Sequence, residues 1–365
     1  LSTKQVVGLA LAIKLFILFF AVQAYVVTMN EPAGPPHHWL EIWSHWDAAH
    51  YVDLVDHGYR AEGDERFWIV FFPGFPWMAQ LFFFFTRDAL VSAFLLSGVA
   101  APVAALLFHK LLRLDEDVAV ADQAVLFLLI FPTACALHIP MTESLFLSFV
   151  LGALLAARKE KWLVAGLLGA AAALTRLPGA LLFPTLAVEA LLVYRRDRKI
   201  DPRWAWLFLI GVGVLIYLSL NKVVTGDWLR FQRYQHEHWD KTLAMPWRGI
   251  IDAWDSIWFR PSAADALMVG WQELLFTFIA IGAAIWSWVR LRPTYAMWAT
   301  LNVLLFTSTK FLLGAPRYTL AIFPIFIWFS RISEKRPIVR AMITMWSLLY
   351  LGLFITLFVR NKWSF

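Results

Sequence analysis

Charge is scarce in this sequence, and cysteine nearly absent. Only 16% of the 365 residues are Asp, Glu, Lys or Arg, against 60% apolar, a balance that a soluble globular domain does not keep. The lone Cys135 excludes an internal disulfide and any zinc site built on cysteines. No G-x-x-x-x-G-K-[ST] loop occurs, so ATP-driven chemistry has no support. Internal repeats and low-complexity linkers are missing too, and residues 1–365 read as one membrane domain. The strict polar–apolar alternation of a membrane barrel is also lacking, because residues 6–27, 90–107, 204–220 and 268–289 are apolar on all sides. What remains is an all-α polytopic membrane protein. Each span needs about 20 apolar residues to cross roughly 30 Å of hydrocarbon, and a helix satisfies its backbone within itself. The first run is too long for a signal peptide, has no small-residue cleavage site and precedes further spans, so it reads as a retained helix.

The net charge of +6 calls for no nucleic-acid partner, since cytoplasmic loops are basic anyway. The basic loops 158–161, 195–203, 290–292 and 331–336, with Lys4, are expected in the cytoplasm. Tracing the crossings between them gives about 11 transmembrane helices, with outer loops at 30–88 and 221–265. Parity then requires that 72–85 does not cross fully, consistent with the helix-interrupting FFPGFP at 71–76. This topology places Asp47, Glu143, Arg176 and Arg317 on one outer face. Charges near membrane depth are costly, so such a gathering marks a functional site by default.

The segment WSHWDAAHYVDLVDHGYR at 43–60 stands out within the first outer loop. Trp39, Trp43, Trp46, His50, Leu54 and Gly58 recur at spacings of three and four, predicting an amphipathic helix lying in the interface. Rings at the lipid edge would partly desolvate Asp47 and raise its basicity. Alternatively, Ser44-x-x-Asp47 is a capping box and Asp47 only satisfies a backbone N–H. His37, His38, His45, His50 and His57 lack metal-ligand spacing, and no metal or cofactor is expected. Asp115-Glu116-Asp117 matches a D-x-D formally, but lies beside no βαβ pattern and reads as a solvated loop that starts the next helix. Lys14, inside the first span, either snorkels or faces a neighbouring helix. The aromatic stretch 225–260 either lies on headgroups or binds a glycan.

Five motifs occur in order: W-x-x-WD-x-x-HY with a following GY (Trp43, Trp46, Asp47, His50, Tyr51, Gly58, Tyr59), FFPGFP (71–76), Pro132 with TESLF (142–146), LTR-x-PG (174–179) and PRY-x-L (316–320). Together they resemble the PIG-V family, the GPI mannosyltransferase 2 family with its prokaryotic relatives, over about residues 43–330. The resemblance implies a GT-C-like bundle. It implies an enzyme that takes a mannosyl or other hexosyl residue from a polyprenyl-phosphate donor and passes it to a lipid-linked or glycan acceptor. The site would be extracytoplasmic in a prokaryotic cell membrane, or lumenal in an ER membrane if the source is eukaryotic. By resemblance, Asp47 is the acidic residue of the first outer loop.

That chemistry needs a base at the acceptor hydroxyl and cations at the departing phosphate. Asp47 is the candidate base, in an inverting reaction. Arg176 and Arg317, the latter beside Tyr318, are candidates for the phosphate, with Lys310 a weaker third; the structural alternative is arginines snorkelling at helix ends. Glu143 either orients Arg176 or the sugar, or simply suits a helix N-terminus. Trp46, His50 and Tyr51 either contact substrate or pack at the interface. A transporter or lipid flippase is the competing class, in which buried charges line a path, and a non-catalytic subunit is a third.

Overall fold

The computed structural model describes residues 1–364, and its regular structure there is helical. Among the described residues, six helical segments are long and apolar enough to cross a membrane: Thr3–Met29, Ala89–Leu112, Leu177–Asp197, Pro202–Thr225, Ala263–Arg290 and Pro337–Val359. A pair broken at 71–73 makes a seventh if Asp64–Val70 and Gly74–Thr86 count as one span. The break falls in FFPGFP, where Phe71 leaves the helix for extended backbone and Pro73 precedes the new one. All four long apolar runs seen in the sequence lie inside these segments.

The chain divides into two compact units. The first comprises Leu1–Gly58, Pro73–Leu151 and Phe329–Ser364. Here Thr3–Met29 packs on Ala89–Leu112, and Lys14 Nζ donates to the Phe94 carbonyl at 3.1 Å. Lys14 thus faces its neighbour, and Gly98 leaves room for it: a Cβ there would lie 2.9 Å from Nζ. Ser97 and Ser148 donate to the Ile139 and Ala100 carbonyls at 2.6 and 2.9 Å, pinning 131–142 and the next helix to Ala89–Leu112. The Asp115-Glu116-Asp117 loop does precede a helix, Val118–Leu129, but it is not simply solvated. Glu116 is largely buried and ion-paired with Arg331.

On the 30–41 stretch, His37 bridges two carboxylates, Glu41 and Asp88, each at 2.8 Å, and Glu41 also accepts from His38 at 3.0 Å. Hydrogen bonding to Asp88, then Glu41, raises the His37 pKa above the ordinary 6.5. A raised folded-state pKa stabilises fully below 6.5, and that contribution is lost as pH rises through the folded value. We expect amide exchange in 31–41 to quicken as pH is raised from 6 to 9, once corrected for the intrinsic rate, and His37→Phe to remove the pH dependence. An unchanged protection factor would contradict the clamp.

The second unit comprises Tyr59–Phe72 and Gly152–Trp328. Its helix Trp162–Thr175 and the span Pro202–Thr225 approach through small residues, the usual route to close backbone contact in lipid. A Cβ on Gly166 would sit 2.1 Å from the Trp206 carbonyl oxygen, and one on Gly213 2.4 Å from that of Ala170. Phe72 stacks on Tyr217 at 3.8 Å, and the Tyr217 hydroxyl donates to the Ile69 carbonyl at 2.9 Å.

A buried ionic knot joins three helices of this unit. Glu189, 2% exposed, accepts from Arg292 Nε and Nη2 at 2.8 and 2.7 Å and from the Thr294 hydroxyl at 2.6 Å. Arg158 approaches the same carboxylate at 3.7 Å and donates to the Tyr295 hydroxyl. Removing one partner of a buried pair strands the other charge. Glu189→Ala is therefore expected to destabilise the protein by about 3–5 kcal/mol, read as a drop in unfolding midpoint in detergent, whereas exposed Asp64→Ala leaves the midpoint unchanged.

Candidate functional site

The residues singled out in the sequence fall into two groups, one in each unit. In the first unit, the predicted continuous helix through Trp39 and Gly58 is broken. A single turn at His38–Glu41 ends, and a second helix, Asp47–His57, starts afresh. Tertiary packing overrides the periodicity: Trp43 is fully buried with its ring 5.6 Å from Phe358, while Trp39 and Trp46 are exposed. The capping-box alternative fails as well, because Asp47 is itself the first helical residue and no side chain caps this end.

Asp47 instead gains a different setting. Trp46, just before it, has φ 52° and ψ −134°, a conformation that costs a bulky residue about 1–3 kcal/mol and persists only where surroundings enforce it. The edge of the Trp46 ring meets Trp363 at 5.4 Å, so the C-terminal segment buttresses the turn. The half-buried Asp47 carboxylate stands at the helix N-terminus, where the dipole favours negative charge. His50 follows one turn on. Tyr51 is buried, its ring edge-on to Phe75 at 5.3 Å.

Glu143 opens the helix Glu143–Arg158 and is 4% exposed. Around it the chain buries polar groups that sequence reasoning missed. His138 is fully buried with neither ring nitrogen hydrogen-bonded, and the Ser144 hydroxyl is likewise unpartnered among the described residues. The signal was the run HIPMTES at 138–144, polar residues amid apolar helices.

In the second unit, three distant segments converge on one phenol. Arg176 terminates Trp162–Thr175 in extended backbone, and Arg317 and Tyr318 lie on the short helix Ala315–Tyr318. The Arg176 and Arg317 guanidinium carbons stand 5.8 and 5.9 Å from the Tyr318 ring centre. Lys241, not anticipated, donates to the Tyr318 hydroxyl at 2.9 Å. It is delivered by a short antiparallel pairing in which Ala244 N–H donates to Ser308 and Lys310 N–H to Thr242. Burial pushes the Tyr318 phenol up, but Lys241, Arg317 and Arg176 outweigh it and hold its pKa below the ordinary 10. Three cations around an acidified phenol form a cradle for a polyanion. Lys310 is drawn off by the exposed Asp240 at 3.1 Å.

Two further features set the cradle. Glu273, fully buried and also missed, accepts from the Gly314 and Ala315 N–H groups at 2.7 and 2.8 Å, fixing the turn that presents Arg317. Gly179, from the LTR-x-PG motif, lies so close to Trp162–Thr175 that a Cβ would come within 2.3 Å of the Ala172 carbonyl. Gly179→Ala is expected to displace Arg176 and lower activity. A crystal structure of the variant with Arg176 unmoved would contradict this.

The aromatic stretch 225–260 forms two helices, Arg230–Trp239 and Trp247–Phe259. Phe67 stacks on His238 at 4.5 Å, while Trp228, Trp247, Trp254 and Trp258 remain exposed.

Residues 72–221 match the dolichyl-phosphate-mannose-protein mannosyltransferase family. A search of curated proteins finds no match. Among solved structures, ArnT from Cupriavidus metallidurans bound to undecaprenyl phosphate is similar at TM-score 0.52 and 14% identity, over 100% of this chain and 77% of that one. The apo Archaeoglobus fulgidus oligosaccharyltransferase is similar at TM-score 0.49 and 12% identity, over 97% of this chain and 56% of that one. The chain is a multi-pass, all-helical membrane protein with the fold of the GT-C glycosyltransferases.

Proposed function

We propose that the chain is an inverting membrane glycosyltransferase of PIG-V type. It transfers a mannosyl residue from a polyprenyl-phosphate donor to a lipid-linked or glycan acceptor, on the extracytoplasmic side of a prokaryotic membrane. The observation that carries this reading is the convergence of Lys241, Arg176 and Arg317 on Tyr318. A carrier phosphate offers several oxygens to guanidinium forks and an ammonium, and its negative charge grows as the sugar leaves. The match of residues 72–221 and the likeness to a structure holding undecaprenyl phosphate support the same donor class.

In the transfer, the acceptor oxygen forms a bond to the anomeric carbon from the face opposite the phosphate. The carbon–oxygen bond to the phosphate breaks, and its electron pair leaves on the carrier phosphate. Asp47 takes the acceptor proton as general base. Lys241, Arg176 and Arg317 bind the phosphate, and the Tyr318 hydroxyl donates to one of its oxygens. Glu143 and His50 are assigned to sugar hydroxyls, with Trp46 as a ring surface beside Asp47. Glu273 is a positioning residue for the cradle.

The test is direct. Purified protein in nanodiscs, given polyprenyl-phosphate-[14C]mannose and a membrane lipid extract, should form a labelled glycoside whose anomeric configuration is opposite to the donor's. Movement of the donor across the bilayer without a new glycosidic bond would favour a flippase instead.

A further inference from the structure

We infer that the basic end of the second unit holds an anionic phospholipid in a dedicated seat, apart from the phosphate cradle. The seat is an apolar groove of about 450 Å³ between the joined ends of the spans Leu177–Asp197 and Pro202–Thr225, walled by Phe183, Leu191, Tyr194, Ile200, Trp204 and Phe208. Arg176 does not line the groove: it lies at the other end of Leu177–Asp197, about 30 Å from the basic run at 195–199 by the rise of a helix and about 10 Å from the nearest wall residue, Phe183. This groove is therefore not where the carrier phosphate of the proposed reaction sits.

Three observations select the occupant. The groove belongs to two membrane-length helices, and its rim is greasy and outward-facing, Ile200 being 79% and Phe208 69% exposed. An acyl chain fits that chemistry. The second observation is charge. Between lining residues Tyr194 and Ile200 run Arg195, Arg196, Asp197, Arg198 and Lys199. Arg196 is taken by Glu160 and Asp197 at 2.7 and 2.6 Å, whereas the side chains of Arg195, Arg198 and Lys199 make no ion pair or hydrogen bond among the described residues and are exposed. Cations in excess at the edge of an apolar groove attract a headgroup carrying negative charge.

The third observation is a missing acceptor. Trp204 lines the groove, and its indole N–H is buried without a hydrogen-bond partner, as is that of Trp162, whose ring lies 6.2 Å from it. A buried donor with no acceptor is costly. The Trp204 nitrogen is covered as its ring now sits, and a turn of this half-exposed ring toward the groove would bring it to the ester and phosphate oxygens of a phospholipid, which lie at the depth where tryptophan indoles settle in a bilayer.

Native mass spectrometry of the full chain, titrated with phosphatidylglycerol or phosphatidylcholine of identical acyl chains, tests this. The wild type should hold one phosphatidylglycerol at least tenfold more tightly than phosphatidylcholine. R195Q/R198Q/K199Q, all on exposed positions, should weaken it by about a hundredfold, R195K/R198K should retain it, and Ala187→Trp, on the exposed groove wall, should block the acyl chain and weaken it as well. Equal binding of the two lipids, or full retention by the triple variant, would overturn the inference. So would displacement of the bound lipid by undecaprenyl phosphate at equal concentration, which makes the groove a second carrier seat, or equally tight binding of glycerol phosphate without tails.

Discussion

Asp47→Asn is expected to lower turnover by about 10²- to 10⁴-fold, the span typical of a positioned general base, with little change in fold. Asparagine keeps the size of the side chain, and loss of the helix-dipole interaction of a partly buried carboxylate at a helix N-terminus costs up to about 2 kcal/mol. The unfolding midpoint should therefore move little while kcat collapses. The KM for the donor should hold, because the donor phosphate is assigned to the other group of residues. Trp46 sharpens the test. Its φ of 52° is strain that glycine at 46 would relieve. If the strain serves to place Asp47, Trp46→Gly should lower kcat even though the backbone conformation itself becomes easier. Near-normal turnover in a folded Asp47→Asn protein would remove the carboxylate from the mechanism.

The second large effect belongs to the cradle. Arg317→Gln and Lys241→Gln should each reduce kcat/KM for the carrier-linked donor by about 10²- to 10³-fold, the cost of deleting one donor to a developing anion. The double variant should fall short of the product of the two, because both cations act on one phosphate and their effects are not independent. Lys241→Arg keeps the charge and should recover part of the loss. Tyr318→Phe separates the phenol from the cations. It removes the hydroxyl that accepts from Lys241 at 2.9 Å, and should cost less than either cation, since it deletes a hydrogen bond to the phosphate but leaves all three opposing charges in place. If both cation variants bind and turn over donor normally, the cradle holds nothing in this reaction.

Much of the frame was legible because membrane spans are written in composition. Residues 6–27, 90–107, 204–220 and 268–289 needed no tertiary information, and each lies inside a long helix. The helix break at 71–73 was equally visible in two prolines and a glycine. Arg176 and Arg317 could be picked out because isolated charges between apolar runs are expensive, and the fold gathers both at Tyr318.

What escaped depends on contacts distant in the chain. Trp39, Trp43 and Trp46 mimic a helix stripe, yet Trp43 is claimed by Phe358, far along the sequence, and the helix restarts at Asp47. Lys241 looks like any exposed loop lysine until the pairing of 242–244 with 308–310 carries it to Tyr318. Glu273 sits within a long apolar segment, and its role emerges only from the two backbone N–H groups it accepts from. The Asp115-Glu116-Asp117 loop misleads in the same way, since only the fold brings Arg331 to Glu116.

The most direct measurement compares donors. Purified protein in nanodiscs is supplied with polyprenyl-phosphate-mannose or with a nucleotide-activated mannose, beside Asp47→Asn and Arg317→Gln proteins of equal thermal stability. A labelled glycoside is expected from the polyprenyl carrier alone, and is lost in both variants. A glycoside formed from the nucleotide sugar, or from the carrier at undiminished rate in both variants, would contradict the mechanism.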